Sequence, residues 1–146
     1  MEGKAMIGKG IFHTNIAVRD VSKSMRFYQG LFGMERWDFV DGDLVFLTTP
    51  GRGDVLTLTP AGGTYGFPGG CAIEMTRESQ QNPPGVQGGV SHFGYMLPNR
   101  EEYERVIAQV TNFGGRLLTR CEHGGALSHT YLADPDGYTV EIHYGH

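Results

Sequence analysis

Thr130-Tyr131-Leu132-Ala133-Asp134-Pro135-Asp136-Gly137-Tyr138-Thr139-Val140-Glu141-Ile142-His143-Tyr144 reads as a hairpin. A strand ends at Ala133, the Asp134-Pro135-Asp136-Gly137 turn reverses the chain, and a second strand begins at Tyr138. Alternation places Tyr138, Val140, Ile142 and Tyr144 on one face of that strand and Thr139, Glu141 and His143 on the other. A carboxylate therefore stands mid-strand on a polar face. A lone Glu so placed is usually solvated, so its meaning depends on what the rest of the chain brings beside it.

Just upstream, the pattern is strand, helix, strand. Val90–Leu97 alternates as a strand, and Asn99 with Glu102 three residues later makes a capping-box start for a helix to Phe113. The apolar stripe of this helix is Tyr103, Val106, Ile107 and Val110, and Gly114-Gly115 stops it. Strands over Arg116–Glu122, Leu127–Ala133 and Tyr138–Tyr144 complete the unit. The first part of the chain has the same grammar. A strand over Gly10–Arg19 leads to Asp20 as the cap of a helix over Val21–Phe32, with a stripe of Val21, Met25, Tyr28 and Phe32 and a stop at Gly33. Strands over Met34–Val40, Leu44–Thr49 and Val55–Thr59 follow.

The two units align residue by residue. Gly10-Ile11-Phe12-His13 matches Gly89-Val90-Ser91-His92 at an offset of 79, and Gly53 to Thr57 matches Gly137 to Glu141. The expected fold is thus α+β: a single domain over 1–146, built of βαβββ modules at about 10–59 and 90–146, joined by a Gly/Pro-rich linker at 60–89. The apolar run Cys71–Met75 in that linker reads as an extra edge strand. Eight strands curling into one mixed sheet would form a cup with the helices outside. His13, His92 and Glu141 all lie on the face turned away from the helices, which is the interior of such a cup. Two imidazoles and a carboxylate there make a three-ligand site for a divalent metal. The symmetry mate of Glu141 is Thr57.

Composition excludes other roles. The net charge is −4, and the 12 Lys and Arg are scattered, which disfavours nucleic acid or an anionic membrane as partner. Cys71 and Cys121 have no metal-type spacing and read as reduced thiols. No stretch has membrane-spanning length and Met1–Gly10 lacks an apolar core, so a cytoplasmic protein is expected.

From Gly10 to Tyr144 the chain resembles the vicinal-oxygen-chelate superfamily. This group includes glyoxalase I, extradiol dioxygenases, fosfomycin-resistance thiol transferases, methylmalonyl-CoA epimerase and the metal-free bleomycin-resistance proteins. The resemblance is carried by Phe12-His13-Thr14 with Arg26-Phe27-Tyr28 downstream, and by Asp134-Pro135-Asp136-Gly137 before Glu141. It implies a cup around a divalent ion held by His13, His92 and Glu141. The four-ligand members add a Glu or Gln at the position of Thr57, a poor ligand. The extradiol dioxygenase pattern fits His123, Tyr131, the Asp-Pro-Asp-Gly turn and Glu141 in spacing, and departs from it at Cys121 and Thr130. It implies His123 as a proton-transfer or oxygen-stabilising residue and Tyr131 as a donor to a bound substrate oxygen. The alternatives for these two are an exposed hairpin His and ordinary strand packing. His129 and His143 share faces with Tyr131 and Glu141 and stand beside the site or at its rim.

The resemblance therefore implies a metal-dependent dioxygenase acting on a catechol-like or other oxygen-chelating small molecule, with Fe(II) favoured over Mn(II), Zn(II) or Ni(II). A glyoxalase-type lyase or thiol transferase is the second reading. A small-molecule binding protein, with an apolar wall from Trp37, Phe39, Phe46, Tyr65 and Phe67, is the third. A homodimer is expected, with each cup formed within one chain or by modules exchanged between two.

Overall fold

In the computed structural model, residues 11–37, 44–61, 64–67, 71–74, 92–121 and 129–144 are described. The lead-in 1–9, Phe39, His123 and much of the 60–89 linker lie outside them.

The first module contains β1 (His13–Val18), α1 (Val21–Phe32), β2 (Glu35–Trp37), β3 (Val45–Thr48) and β4 (Val55–Pro60). Among the described residues, β5 (Thr64–Phe67) and β6 (Cys71–Glu74) pair only with each other. The apolar run of the linker is therefore one arm of a separate hairpin rather than a strand added to a main sheet. The second module contains β7 (Phe93–Leu97), α2 (Arg100–Gln109) with a 3₁₀ extension over Val110–Phe113, β8 (Arg116–Cys121), β9 (His129–Ala133) and β10 (Thr139–Tyr144).

The eight strands of the modules form two four-stranded mixed sheets, ordered β1-β4-β3-β2 and β7-β10-β9-β8. In each, the first and last strands of the module run parallel, because a helix carries the chain back between them. The register obeys the repeat: Thr14 faces Leu56 in one sheet, and their mates Phe93 and Val140 face each other in the other. Both helices start and stop as the sequence dictates. Asp20 accepts from the Lys23 amide at 3.1 Å and Asn99 from the Glu102 amide at 2.9 Å. Gly33 (φ 65°) and Gly114 (φ 87°) supply the left-handed stops.

The buried arc of α1 is rotated from the expected stripe. Ser24, Phe27, Tyr28 and Leu31 are buried, whereas Val21, Met25 and Phe32 pack at its margin. The cause is tertiary: α1 is gripped from two sides. Ile16, Val18, Leu56 and Leu58 of the first sheet and Leu97, Leu132, Val140 and Ile142 of the second belong to one core, with Phe27, Tyr28 and Tyr103 from the helices. Phe32 stacks on Tyr95 with ring centroids 3.9 Å apart.

A polar latch reinforces this union. Arg19 donates its backbone amide (2.9 Å) and Nε (3.0 Å) to Asp136 Oδ1, and Ser24 Oγ donates to Asp136 Oδ2 at 3.1 Å. The Tyr28 hydroxyl donates to Asp134 Oδ2 at 2.7 Å, and the Tyr138 hydroxyl to the Ala17 carbonyl at 2.9 Å. Asp134 Oδ1 accepts from the Asp136 and Tyr138 amides at 2.9 Å each. Burial raises the Asp134 pKa despite these donors, and burial followed by the nearby Asp134 charge raises that of Tyr28. The turn of the opening hairpin thus also clasps the first module's helix. No helix among the described residues is long and apolar enough to cross a membrane.

Candidate metal centre

The core joins the helix-side faces of both sheets, so the opposite faces carry the candidate ligands. On the second sheet, Glu141 lies between Gly94 of β7 and Tyr131 of β9. Its carboxylate is bracketed by two imidazoles: His92 Nε2 stands 3.2 Å from Oε2 and His143 Nε2 3.1 Å from Oε1. The Tyr131 ring meets His92 and His129 edge-on, each at 5.3 Å between centroids. Desolvation raises the Tyr131 pKa, and the charge of Glu141 with its hydrogen bond adds to the rise. One row further along, Cys121, His129 and His143 face one another across three strands, with the two imidazoles stacked at 5.6 Å. Gly94 is required beside Glu141, because a Cβ there would come within 2.7 Å of the Glu141 carbonyl oxygen.

The first sheet presents a different surface. His13 Nε2 is hydrogen-bonded to Thr57 Oγ1 at 2.7 Å. Thr59 Oγ1 donates to Asn15 Oδ1 at 2.8 Å. Leu44, Phe46 and Val55 form a small buried cluster of their own. The Phe46 ring lies 6.3 Å from that of His13.

The structure thus brings His92 and Glu141 together, adds His143 and Tyr131 to them, and holds His13 apart with Thr57. Among the described residues no three His, Cys, Asp or Glu side chains converge on one point that would hold a metal ion. His92 and His143 do not complete such a set because the carboxylate lies between them. The pair His92–Glu141 itself fits an ion: adjacent ligand atoms around a metal bonded at ~2.0–2.2 Å are about 3 Å apart, close to the observed 3.2 Å. Alternation already puts His143 on the face of Glu141; two contacts escape it, Thr57 on His13 and the close approach at Gly94. Only the last has a local signal, an isolated glycine inside a strand.

Residues 10–142 match the sequence profile of the Glyoxalase/Bleomycin resistance protein/Dioxygenase superfamily. The chain is 25% identical over 142 residues to a lactoylglutathione lyase of Schizosaccharomyces pombe, an alignment covering 89% of this chain and 45% of that protein. The chain spans about half the length of that relative. In fold it is similar to lactoylglutathione lyase from Agrobacterium tumefaciens, with a TM-score of 0.65, 17% identity and 96% of each chain covered. It is also similar to the fosfomycin resistance protein FosX from Mesorhizobium loti, with a TM-score of 0.64, 14% identity, and 96% of this chain and 95% of that one covered. The chain belongs to the glyoxalase/bleomycin resistance protein/dioxygenase superfamily.

Proposed function

We propose that this chain is a divalent-metal-dependent enzyme acting on a small molecule that presents neighbouring oxygens, with the ion held by His92 and Glu141 of one copy and His13 of a second. The observation that carries this is the 3.2 Å pairing of His92 with Glu141, on a face turned away from the core that the two modules share. His13 lies on the corresponding face of the other sheet, so a second copy is the natural source of the third ligand, and the assembly is a homodimer. A cytoplasmic setting suits the free thiol of Cys121.

The reaction we favour is a dioxygenase reaction on a catechol-like substrate, with Fe(II). Its support is Thr57: the first module offers a hydroxyl engaged with His13 where a fourth carboxylate or amide would otherwise stand. A three-ligand site leaves positions for a chelating substrate and O₂. When bound, the ion would supply acidity to a chelating hydroxyl. The protein's own contribution is orientation. His143 fixes one oxygen of Glu141, leaving the other beside His92. The phenol of Tyr131, which is hydrogen-bonded to Glu141, would turn its proton to a substrate oxygen when the carboxylate takes up the ion. Phe46 and its neighbours form an apolar wall for the substrate's ring. His123, by resemblance, would move a proton.

A glutathione-type lyase or thiol transferase is the second reading, supported by the similarity to proteins named lactoylglutathione lyase and FosX. Protein loaded anaerobically with Fe(II) should consume O₂ when given catechol and air. Absence of uptake removes the dioxygenase reading. Turnover of the methylglyoxal–glutathione adduct with Ni(II) or Zn(II) would install the second. Ligand binding retained by metal-free His13→Ala and Glu141→Ala proteins, with neither activity in the parent, would mark a binding protein instead.

A further inference from the structure

The latch has a counterpart on the other side of the repeat, and there it is missing. Applying the repeat to the latch residues turns Arg19 and Asp136 into Pro98 and Arg52, and Ala17 and Tyr138 into Met96 and Asp54. Where the first pairs close the junction between the Asp134–Gly137 turn and the end of β1, the second pairs line an open cleft of ≈ 760 Å³. One wall comes from the start of β1 and the turn before β4, the other from β7. The Arg52 guanidinium, having lost an acidic mate, has no side-chain partner among the described residues. Asp54 is already committed, since its carboxylate accepts from the Thr49 amide and hydroxyl at 2.7 Å each. Phe12, Phe32, Phe93 and Tyr95 supply aromatic surface. Phe12 and Met96 keep 63% and 54% of their surface exposed.

We propose that this cleft is an inter-module binding site for a small carboxylate with an aromatic body. The carboxylate would pair with the Arg52 fork, taking the place that Asp136 holds against Arg19 in the closed half, and the ring would lie between the aromatic walls. A cleft of this size is in the range of ~300–1,000 Å³ usual for small-molecule sites. The cleft takes Phe12, Thr14, Phe93 and Tyr95 from the core-side faces and Val55, Gly94 and Met96 from the ligand-side faces, but none of His13, His92 and Glu141 lines it, and its occupancy does not depend on the metal reading.

The test uses 2-naphthoate as probe, followed by calorimetry and by amide NMR shifts on the full chain. Saturable binding with shifts at residues 93–98 and 52–56 is expected, weakened at least tenfold in Arg52→Gln and retained in Glu141→Gln. Rebuilding the lost pair with Arg52→Asp and Pro98→Arg together should close the cleft and abolish binding. Should that double variant fold poorly, Met96→Trp, which fills the cleft, serves in its place. Unchanged affinity in Arg52→Gln, or shifts centred on Tyr131 and Glu141, would overturn the proposal. So would self-association that excludes naphthoate, which would give the cleft to a second copy.

Discussion

The two sheets have the same strand order, the same register and equivalently capped helices, yet the faces they turn away from the core differ in kind. The second sheet carries His92, Glu141, His143, Tyr131, His129 and Cys121 in adjoining rows. The first carries one histidine against a threonine, beside Leu44, Phe46 and Val55. The helix-side residues must fill one shared core and are held to apolar types. The other face is free to diverge without cost to the fold. The lesson is a division of character: one module gathers most of the titratable side chains, and the other pairs a single histidine with apolar surface.

The strongest challenge to this contrast is to treat symmetry mates as equals. Glu141→Ala should lower metal affinity by roughly 100-fold or more, beyond the ~10–100-fold typical of residues that only support ligands, whereas Thr57→Ala should change it by less than about tenfold. Equilibrium dialysis with a competing chelator decides, and equal losses would erase the asymmetry. Next in size is stability. Phe46→Ala removes a buried ring and should cost about 3–5 kcal/mol, whereas Tyr131→Phe should stay within about 1 kcal/mol while impairing turnover. Urea unfolding of both variants measures this.

The latch offers a finer comparison between the closed and open junctions. Tyr28→Phe leaves the buried Asp134 Oδ2 without its donor and should cost about 1–3 kcal/mol, with metal affinity unchanged. The smallest effect is in pH dependence. Burial holds Asp134 above its ordinary 3.8, so between that value and the raised one the folded chain binds more protons than the unfolded chain. Its contribution to stability therefore falls as pH climbs through that window and is restored as pH drops back below it. A pH series of urea midpoints should show this fall, and Asp134→Asn should remove it.

Much of this was legible from residue pattern alone, because the repeat places caps, strands and ligands twice. Asp20 and Asn99, one repeat apart, both cap helices, and the alternation around Glu141 puts it on the face opposite Val140 and Ile142, as expected. What was not legible depends on distant partners. Ser24 is buried with its hydroxyl on Asp136, 112 residues away, a partner that periodicity within α1 does not reveal. Periodicity within a strand cannot reveal whether two sheets join at their edges. The eight strands form two four-stranded sheets that share one core, and among the described residues His13 does not join His92 and Glu141 in one cluster. The hydroxyl of Thr57 on His13 is likewise a matter of side-chain reach across strands.

That shared core has a consequence in mass action. When a full ligand set needs two chains, ion occupancy depends on protein concentration. Metal favours assembly by the same factor by which assembly favours metal. Dilution would then empty the centre while each chain stays folded, since neither sheet depends on the ion for its packing. Supply of the metal and abundance of the protein would be read together, as a product, at a single site.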